Sequence, residues 1–120
     1  MQYLALIYGD EAAWEAMSPE DENAVMQQYY AFSEEATAAG VIQGGNELDS
    51  TSTATTVRVR NDETLVTDGP FAELKEALGG YYVFECDSID EACRWAAKIP
   101  AARHGAIEVR PIEVDGEKPS

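Results

Sequence analysis

Apolar residues recur along the chain with the period of a strand in some segments and of a helix in others. Residues 2–8 are apolar with weak alternation and predict a first strand. Ser18 followed by Pro19 is typical of a helix start, since serine caps free amides and proline fits the first turn. Residues at helical spacing predict one core face on this helix: Val25, Tyr29, Phe32, Ala36 and Ala39. Gly40 is expected to end it.

Later segments predict more strands and a second helix. Further strands are expected at residues 41–42, 53–60, 64–67, 80–85 and 106–112, with residues 53–60 and 64–67 forming a hairpin. Glycines at residues 44 and 45 predict a bulge or bend. Ser88 and Glu91 have the spacing of a capping box, so a helix is expected to begin there and to stop at Pro100. Its predicted apolar stripe is Ile89, Ala92, Cys93, Ala96 and Ile99.

The order strand, helix, strand, hairpin, strand, helix, strand predicts an α+β protein. With both helices on one face of an antiparallel sheet, the expected architecture is a ferredoxin-like α/β sandwich. At 120 residues the chain is expected to form a single domain, residues 1–113, followed by a polar C-terminal tail, residues 114–120.

The chain is strongly acidic, with a formal net charge of −15 and all 8 basic residues at or after Arg58. This balance argues against nucleic-acid binding and against anionic membranes, both of which need basic surface. The first residues lack a basic region and a cleavage site, so no signal peptide is expected. Cys86 and Cys93 are too few for a disulfide framework and are predicted to be free, partly buried thiols of a cytoplasmic protein.

The segment around Asp68, Gly69 and Pro70 predicts a sharp corner at which a strand ends. A carboxylate at a strand end is a frequent place for function. The alternative is that Asp68 only caps the turn through its own backbone. Gly79 and Gly80 are expected to allow a close backbone approach as the next strand begins.

His104 is the sole histidine, and imidazole is the side chain best suited to proton transfer near neutral pH. If the segment leading into the last strand lies near the Asp68 corner, the carboxylate can orient the ring. The alternative is a surface histidine bonded to neighbouring backbone. Arg103 and Lys75 flank the two loops and are candidates for holding an anionic substrate, and Tyr81 can reach a pocket from its strand. Ordinary surface pairing and packing are the alternatives for these residues.

Other chemistry finds no support in the residue pattern. One histidine and two cysteines match no zinc spacing, so no metal is expected. The glycine pairs lack the pattern of a phosphate-binding loop, and no cofactor is expected.

Three segments together resemble the YCII-related (DGPF-domain) family. They are residues 3–8, the run from Asp68 to Tyr81 and residues 100–111. The resemblance covers nearly the whole chain. It implies a ferredoxin-like domain that pairs into a dimeric α+β barrel, as in muconolactone isomerases and small monooxygenases. It also implies a pocket with an acid/base pair, which maps onto His104 and Asp68, and a link to sigma-factor signalling.

Two functions of different classes follow. The first is a cofactor-free enzyme, a homodimer that performs acid/base chemistry on a small anionic ligand. The second is a non-catalytic regulator that binds a metabolite or a sigma-factor-linked protein partner, an interpretation that the acidic N-terminal half favours. A cofactor-free oxygenase is a third alternative with less support, since only aromatic residues point to it.

Overall fold

The computed structural model describes residues 1–114, which form six strands and three helices. The strands are β1 Gln2–Gly9, β2 Ile42–Glu47, β3 Thr55–Arg60, β4 Glu63–Asp68, β5 Ala77–Glu85 and β6 Ala106–Pro111. The helices are α1 Glu11–Glu15, α2 Pro19–Ala38 and α3 Ile89–Ala96, and short 3-10 turns cover Thr51–Thr53 and Pro100–Arg103. The predicted tail, residues 114–120, lies outside the described residues except for Val114.

Four strands form one antiparallel sheet in the order β2-β5-β1-β6, and β3 pairs only with β4. With the β3–β4 hairpin set aside, this is the strand order of the ferredoxin-like βαββαβ unit. The predicted α+β class and antiparallel sheet are confirmed. A register shift between Ile42 and Gly44 lies at the predicted bend of the second strand.

Both long helices begin at the serines that the sequence indicates. The Ser18 hydroxyl accepts a hydrogen bond from the amide of Asp21 at 3.1 Å, and the Ser88 hydroxyl accepts one from the amide of Glu91 at 3.2 Å. In return, the Glu91 carboxylate accepts a hydrogen bond from the Asp87 amide at 2.9 Å, so hydrogen bonds run in both directions across the start of the helix. Gly40 follows α2 with a φ of +74°, a conformation that favours glycine.

The hydrophobic core lies between the sheet and the two long helices. Phe84 of β5 is fully buried, and its ring stacks on that of Tyr82 at a centroid distance of 5.9 Å. Phe32 of α2 contacts both rings, at 5.4 Å from Tyr82 and 6.3 Å from Phe84. Ile99, just after α3, closes the other end of the core at 1% exposure. The aromatic cluster thus joins α2 to the centre of the sheet.

Several local predictions were wrong. Strand β5 begins at Ala77 instead of residue 80, because Ala77 and Leu78 pair with the end of β1 across a register shift. Ala39 is exposed since the helix ends beside it. In α3 the core face is narrower than predicted, so Ile89 and Cys93 are exposed. Both cysteines are free, as predicted, but only Cys86 is buried.

The β3–β4 hairpin extends away from the sheet. Its turn has positive φ at Asn61 and Asp62, the geometry of a tight type I′ connection. Its base is fixed where the Gly69 amide donates to the carbonyl of Ala54 at 2.7 Å. The chain is accordingly flat, 49 × 47 × 18 Å, and its radius of gyration of 16.6 Å exceeds the about 14 Å expected of a compact domain of this length.

Glu11 ties the first helix to the segment that precedes the hairpin. Its carboxylate accepts from the amide of Thr51 at 2.8 Å and from the Thr51 hydroxyl at 2.5 Å. These two bonds favour the ionised form, and they lower the pKa of Glu11 below its ordinary value. The contact therefore stabilises the fold only while Glu11 is ionised.

We expect the Glu11→Gln variant to be less stable than the wild type at pH 7, by about 1 kcal/mol or less because the contact is partly exposed. Since folding lowers the pKa, this contribution is present above the ordinary glutamate value of 4.5 and is lost as the pH falls through the folded value. Urea unfolding at several pH values measures it. Glu15→Gln, which removes the same charge from the same exposed helix, is the control. An equal effect of both substitutions at every pH would contradict this role.

Candidate functional site

The loops that carry the predicted site residues meet at one end of the sheet. The last residue of β1, Gly9, pairs with Ala77 at the start of β5, and Tyr8 pairs with Ala106 at the start of β6. The loop of residues 69–76 and the turn that holds His104 therefore enter the sheet at the same end, on opposite sides of β1. The candidate site is this end of the sheet.

His104 is exposed and closes the 3-10 turn Pro100–Arg103. Its amide donates to the carbonyl of Ala101 at 3.1 Å, and the Gly105 amide donates to the same carbonyl at 2.8 Å. Gly105 lies against β1 so closely that an added Cβ would be 2.0 Å from the carbonyl oxygen of Tyr8. This contact fixes the backbone of His104, while its imidazole stays open to a ligand.

Asp68 is the last residue of β4, one residue beyond the predicted strand of residues 64–67, and is exposed. The corner after it depends on Gly69, whose φ of +99° favours glycine and whose carbonyl accepts from the Thr56 hydroxyl at 2.8 Å. Within residues 1–114, no hydrogen bond or ion pair joins Asp68 to His104 in the single chain. Their pairing stays a prediction.

The remaining predicted binding residues lie around this end and on the sheet. Lys75 and Arg103 are exposed in the two loops, and neither takes part in the ion pairs found between described residues, Met1–Glu85 and Lys98–Glu35. The Tyr81 hydroxyl accepts from the Asn46 side-chain amide at 3.0 Å. Sequence reasoning missed this Asn46 contact, since it depends on the register of β2 against β5.

The face of the sheet opposite the helices carries a half-buried apolar surface. Alternation along β1 and β5 places on it Leu4, Leu6, Tyr8, Tyr81 and Val83, which we call the open sheet face. Leu6 pairs with Tyr81, and Leu4 pairs with Val83, so the side chains form neighbouring rows. The signal in the sequence is that β1 is apolar at both its odd and its even positions.

Two other tyrosines serve packing. Burial raises the pKa of Tyr82, and burial followed by the nearby Tyr82 raises the pKa of Tyr29. Both phenols therefore stay neutral at pH 7 and face the core, away from the open sheet face. Of the neighbours Tyr81 and Tyr82, only the first is placed to meet a ligand on that face.

Two surface depressions in the described part of the chain lie elsewhere. One of about 210 Å³ lies between α3 and β6, and one of about 540 Å³ lies on α2. No predicted site residue lines either of them. Within the described part of the chain, no three His, Cys, Asp or Glu residues are grouped to hold a metal ion. None of the helices in residues 1–114 is long and apolar enough to cross a membrane.

Comparison with known proteins identifies relatives over the whole chain. The model of the YCII-related domain matches residues 1–114. An uncharacterised protein of Rhizobium meliloti (strain 1021) is 40% identical, with all of both chains aligned.

A solved structure also resembles this chain, though distantly. It is the 5-chloro-2-hydroxyhydroquinone dehydrochlorinase of Burkholderia phenoliruptrix AC1100 in complex with 2,5-dihydroxybenzoquinone. It is 18% identical, with a TM-score of 0.48 and 94% of each chain covered. At this level the likeness says nothing about the chemistry of this chain.

Proposed function

The chain belongs to the YCII-related domain family, and on that premise we propose that it is a small cytoplasmic homodimer that performs cofactor-free acid/base chemistry on a small anionic substrate. In this proposal His104 takes or gives the proton, and Asp68 orients its imidazole. Arg103 and Lys75 hold the negative charge of the substrate and of the enolate that forms. Tyr81 contacts the substrate from the sheet.

The observation that carries the proposal is the position of His104. An exposed imidazole on a backbone held by Gly105 combines access to a ligand with a fixed location, which proton transfer needs. Lys75 and Arg103 are cations in loops at the same sheet end, in a chain of net charge −15. Cations are scarce here, so their presence at the end of the sheet that holds the histidine favours an anionic ligand.

The open sheet face supports the proposed homodimer. Leu4, Leu6 and Val83 lie on a surface that one chain leaves half-buried, and an apolar surface of this kind is typical of a protein interface. A second copy would cover it.

The proposed reaction is tested by proton exchange. In deuterated water, the wild type is expected to exchange a C–H proton next to the carbonyl in members of a panel of small 2-oxo acids, followed by proton NMR. Replacing the base, His104→Ala, is expected to slow this exchange about 100-fold or more. His104 is exposed, so the variant is expected to fold. An unchanged unfolding midpoint would show that it does. Exchange by His104→Ala as fast as by the wild type across the panel would contradict the proposal.

A second candidate function, a non-catalytic regulator, is favoured by the distribution of charge. The first 57 residues contain no basic residue, and acidic side chains are exposed in the first turn of α2 at Glu20, Asp21 and Glu22. Such a surface suits a basic protein partner, of which a sigma factor is the kind that the family suggests. Binding to a basic sigma factor at low salt that weakens as salt is added would support this function. No binding at low salt would contradict it.

A further inference from the structure

The β3–β4 hairpin has almost no packing within its own chain. The side chains of β4 are exposed along its whole length, and those of β3 are exposed except at Thr56. A two-stranded hairpin in water is marginally stable by itself. The hairpin therefore needs a cover for its apolar side chains.

One face of this hairpin is apolar. Val57 pairs directly with Val66, and Val59 lies two residues along on the same side. They are 60%, 63% and 57% exposed, in that order. We call these three residues the valine face. The opposite face carries charge, from Arg58, Arg60 and Glu63, so only the valine face is suited to burial.

Asp68 lies on the same side of the hairpin as the valines. It pairs with Thr55 at the base, and it is two residues beyond Val66 on the same strand. A surface that covers the valine face therefore extends as far as Asp68. The covering partner decides the surroundings of this carboxylate.

A second copy of this chain has the surface that fits. The open sheet face is apolar and uncharged at its centre, and it is uncovered like the valine face. The chain holds 23 acidic residues, and most surfaces of two copies would repel each other. The residues that define the valine face and the open sheet face carry no charge, and the nearest acidic side chains, Asp68 on the hairpin and Glu108 beside Leu6, lie at their edges, so the centres of the two faces can meet without this repulsion.

We propose that the valine face of each protomer docks on the open sheet face of its partner and that Asp68 lies at the boundary between the two copies. A two-fold pair buries both apolar surfaces of both chains. One chain alone is flat, and both surfaces are uncovered in it. The proposal rests on the homodimer of the proposed function, and it adds which segment crosses to the partner. The candidate site is then complete only in the dimer.

Isotope-filtered NMR on a mixed dimer tests the docking. One chain carries ¹³C and ¹⁵N and the other is unlabelled, with mixing by subunit exchange. The docking predicts contacts between the methyl groups of Val57 and Val66 in one chain and Leu4, Leu6 or Val83 in the other. A dimer without these contacts would overturn the proposal, as would a single species at 13.1 kDa by light scattering.

A pair of variants gives an independent readout. Val66→Lys is expected to raise the dimer dissociation constant about 100-fold or more, because each dimer would bury two unpaired ammonium groups. Thr67→Lys places the same charge at the next residue, on the opposite face of the hairpin, and is expected to leave the dimer intact. Circular dichroism shows whether both variants fold; Val66 is exposed in the single chain, so both are expected to. Equal dissociation constants for the two variants would overturn the docking.

These readouts are independent of the proposed chemistry. Intermolecular valine contacts together with proton exchange that survives His104→Ala would uphold the docking and contradict the acid/base function. A monomeric protein whose proton exchange is abolished by His104→Ala would contradict the docking and uphold the acid/base function.

Discussion

Replacing Phe84 by alanine is expected to lower the free energy of unfolding by about 3–5 kcal/mol. Phe84 is fully buried, and its ring contacts those of Phe32 and Tyr82 at centroid distances of 6.3 and 5.9 Å. Truncation loses the burial of the ring and leaves a cavity between α2 and the central strand. Because a domain of this size is stable by only about 5–15 kcal/mol, much of the total stability depends on this one side chain.

Urea unfolding followed by circular dichroism measures this loss. Phe71→Ala removes the same atoms from a side chain that is 77% exposed, and within one chain it is expected to change stability by about 0.5 kcal/mol or less. A loss below about 1 kcal/mol for Phe84→Ala would show that the aromatic cluster is not the centre of the core.

Gly105→Ala is the second substitution with a large expected effect, a loss of about 2–3 kcal/mol or more. The new Cβ would be 2.0 Å from the carbonyl oxygen of Tyr8 and 3.1 Å from the Cα of Gly9. Both are backbone atoms of β1, so no side chain can rotate to relieve the clash. The turn must move away from the sheet, and His104 moves with it. We therefore also expect proton exchange by this variant to fall.

The thermal unfolding midpoint of this variant, compared with that of Gly44→Ala, measures the effect. A Cβ at Gly44 meets nothing within 4 Å, and alanine there is expected to be neutral or slightly stabilising. If the two variants unfolded at the same temperature, the close approach of Gly105 to β1 would not be needed for the fold.

The architecture was predictable because its signals are local. Ser18 and Ser88 mark helix starts through contacts within one turn, and Gly40 marks a helix end through its own backbone. Alternation predicted the strands of the hairpin in the same way. The start of β5 was not predictable, since Ala77 is a strand residue only because it pairs with the distant Gly9.

The candidate site was predictable only in its parts. His104 and Asp68 can be chosen from residue type and turn chemistry, but their separation depends on the position of a hairpin whose side chains are almost all exposed. Similarly, Gly45 carries no sequence signal for its role. A Cβ there would be 2.6 Å from the backbone oxygen of Tyr81 and 2.9 Å from the ring of Tyr82, so a larger residue would fit only if its neighbours moved. Contacts between distant segments decide such roles.

The ¹⁵N spectrum of the His104 ring tests most directly whether an oriented histidine forms the proposed site. The chain has one histidine, so its two ring nitrogens are assigned without ambiguity. A carboxylate that accepts from one nitrogen selects one neutral tautomer. A hydrogen bond from His104 to Asp68 predicts one tautomer in the wild type. The control Asp62→Asn removes the same charge from the exposed hairpin turn and is expected to keep that tautomer. Asp68→Asn is expected to show a mixture of tautomers. Identical spectra for the wild type and Asp68→Asn would contradict it.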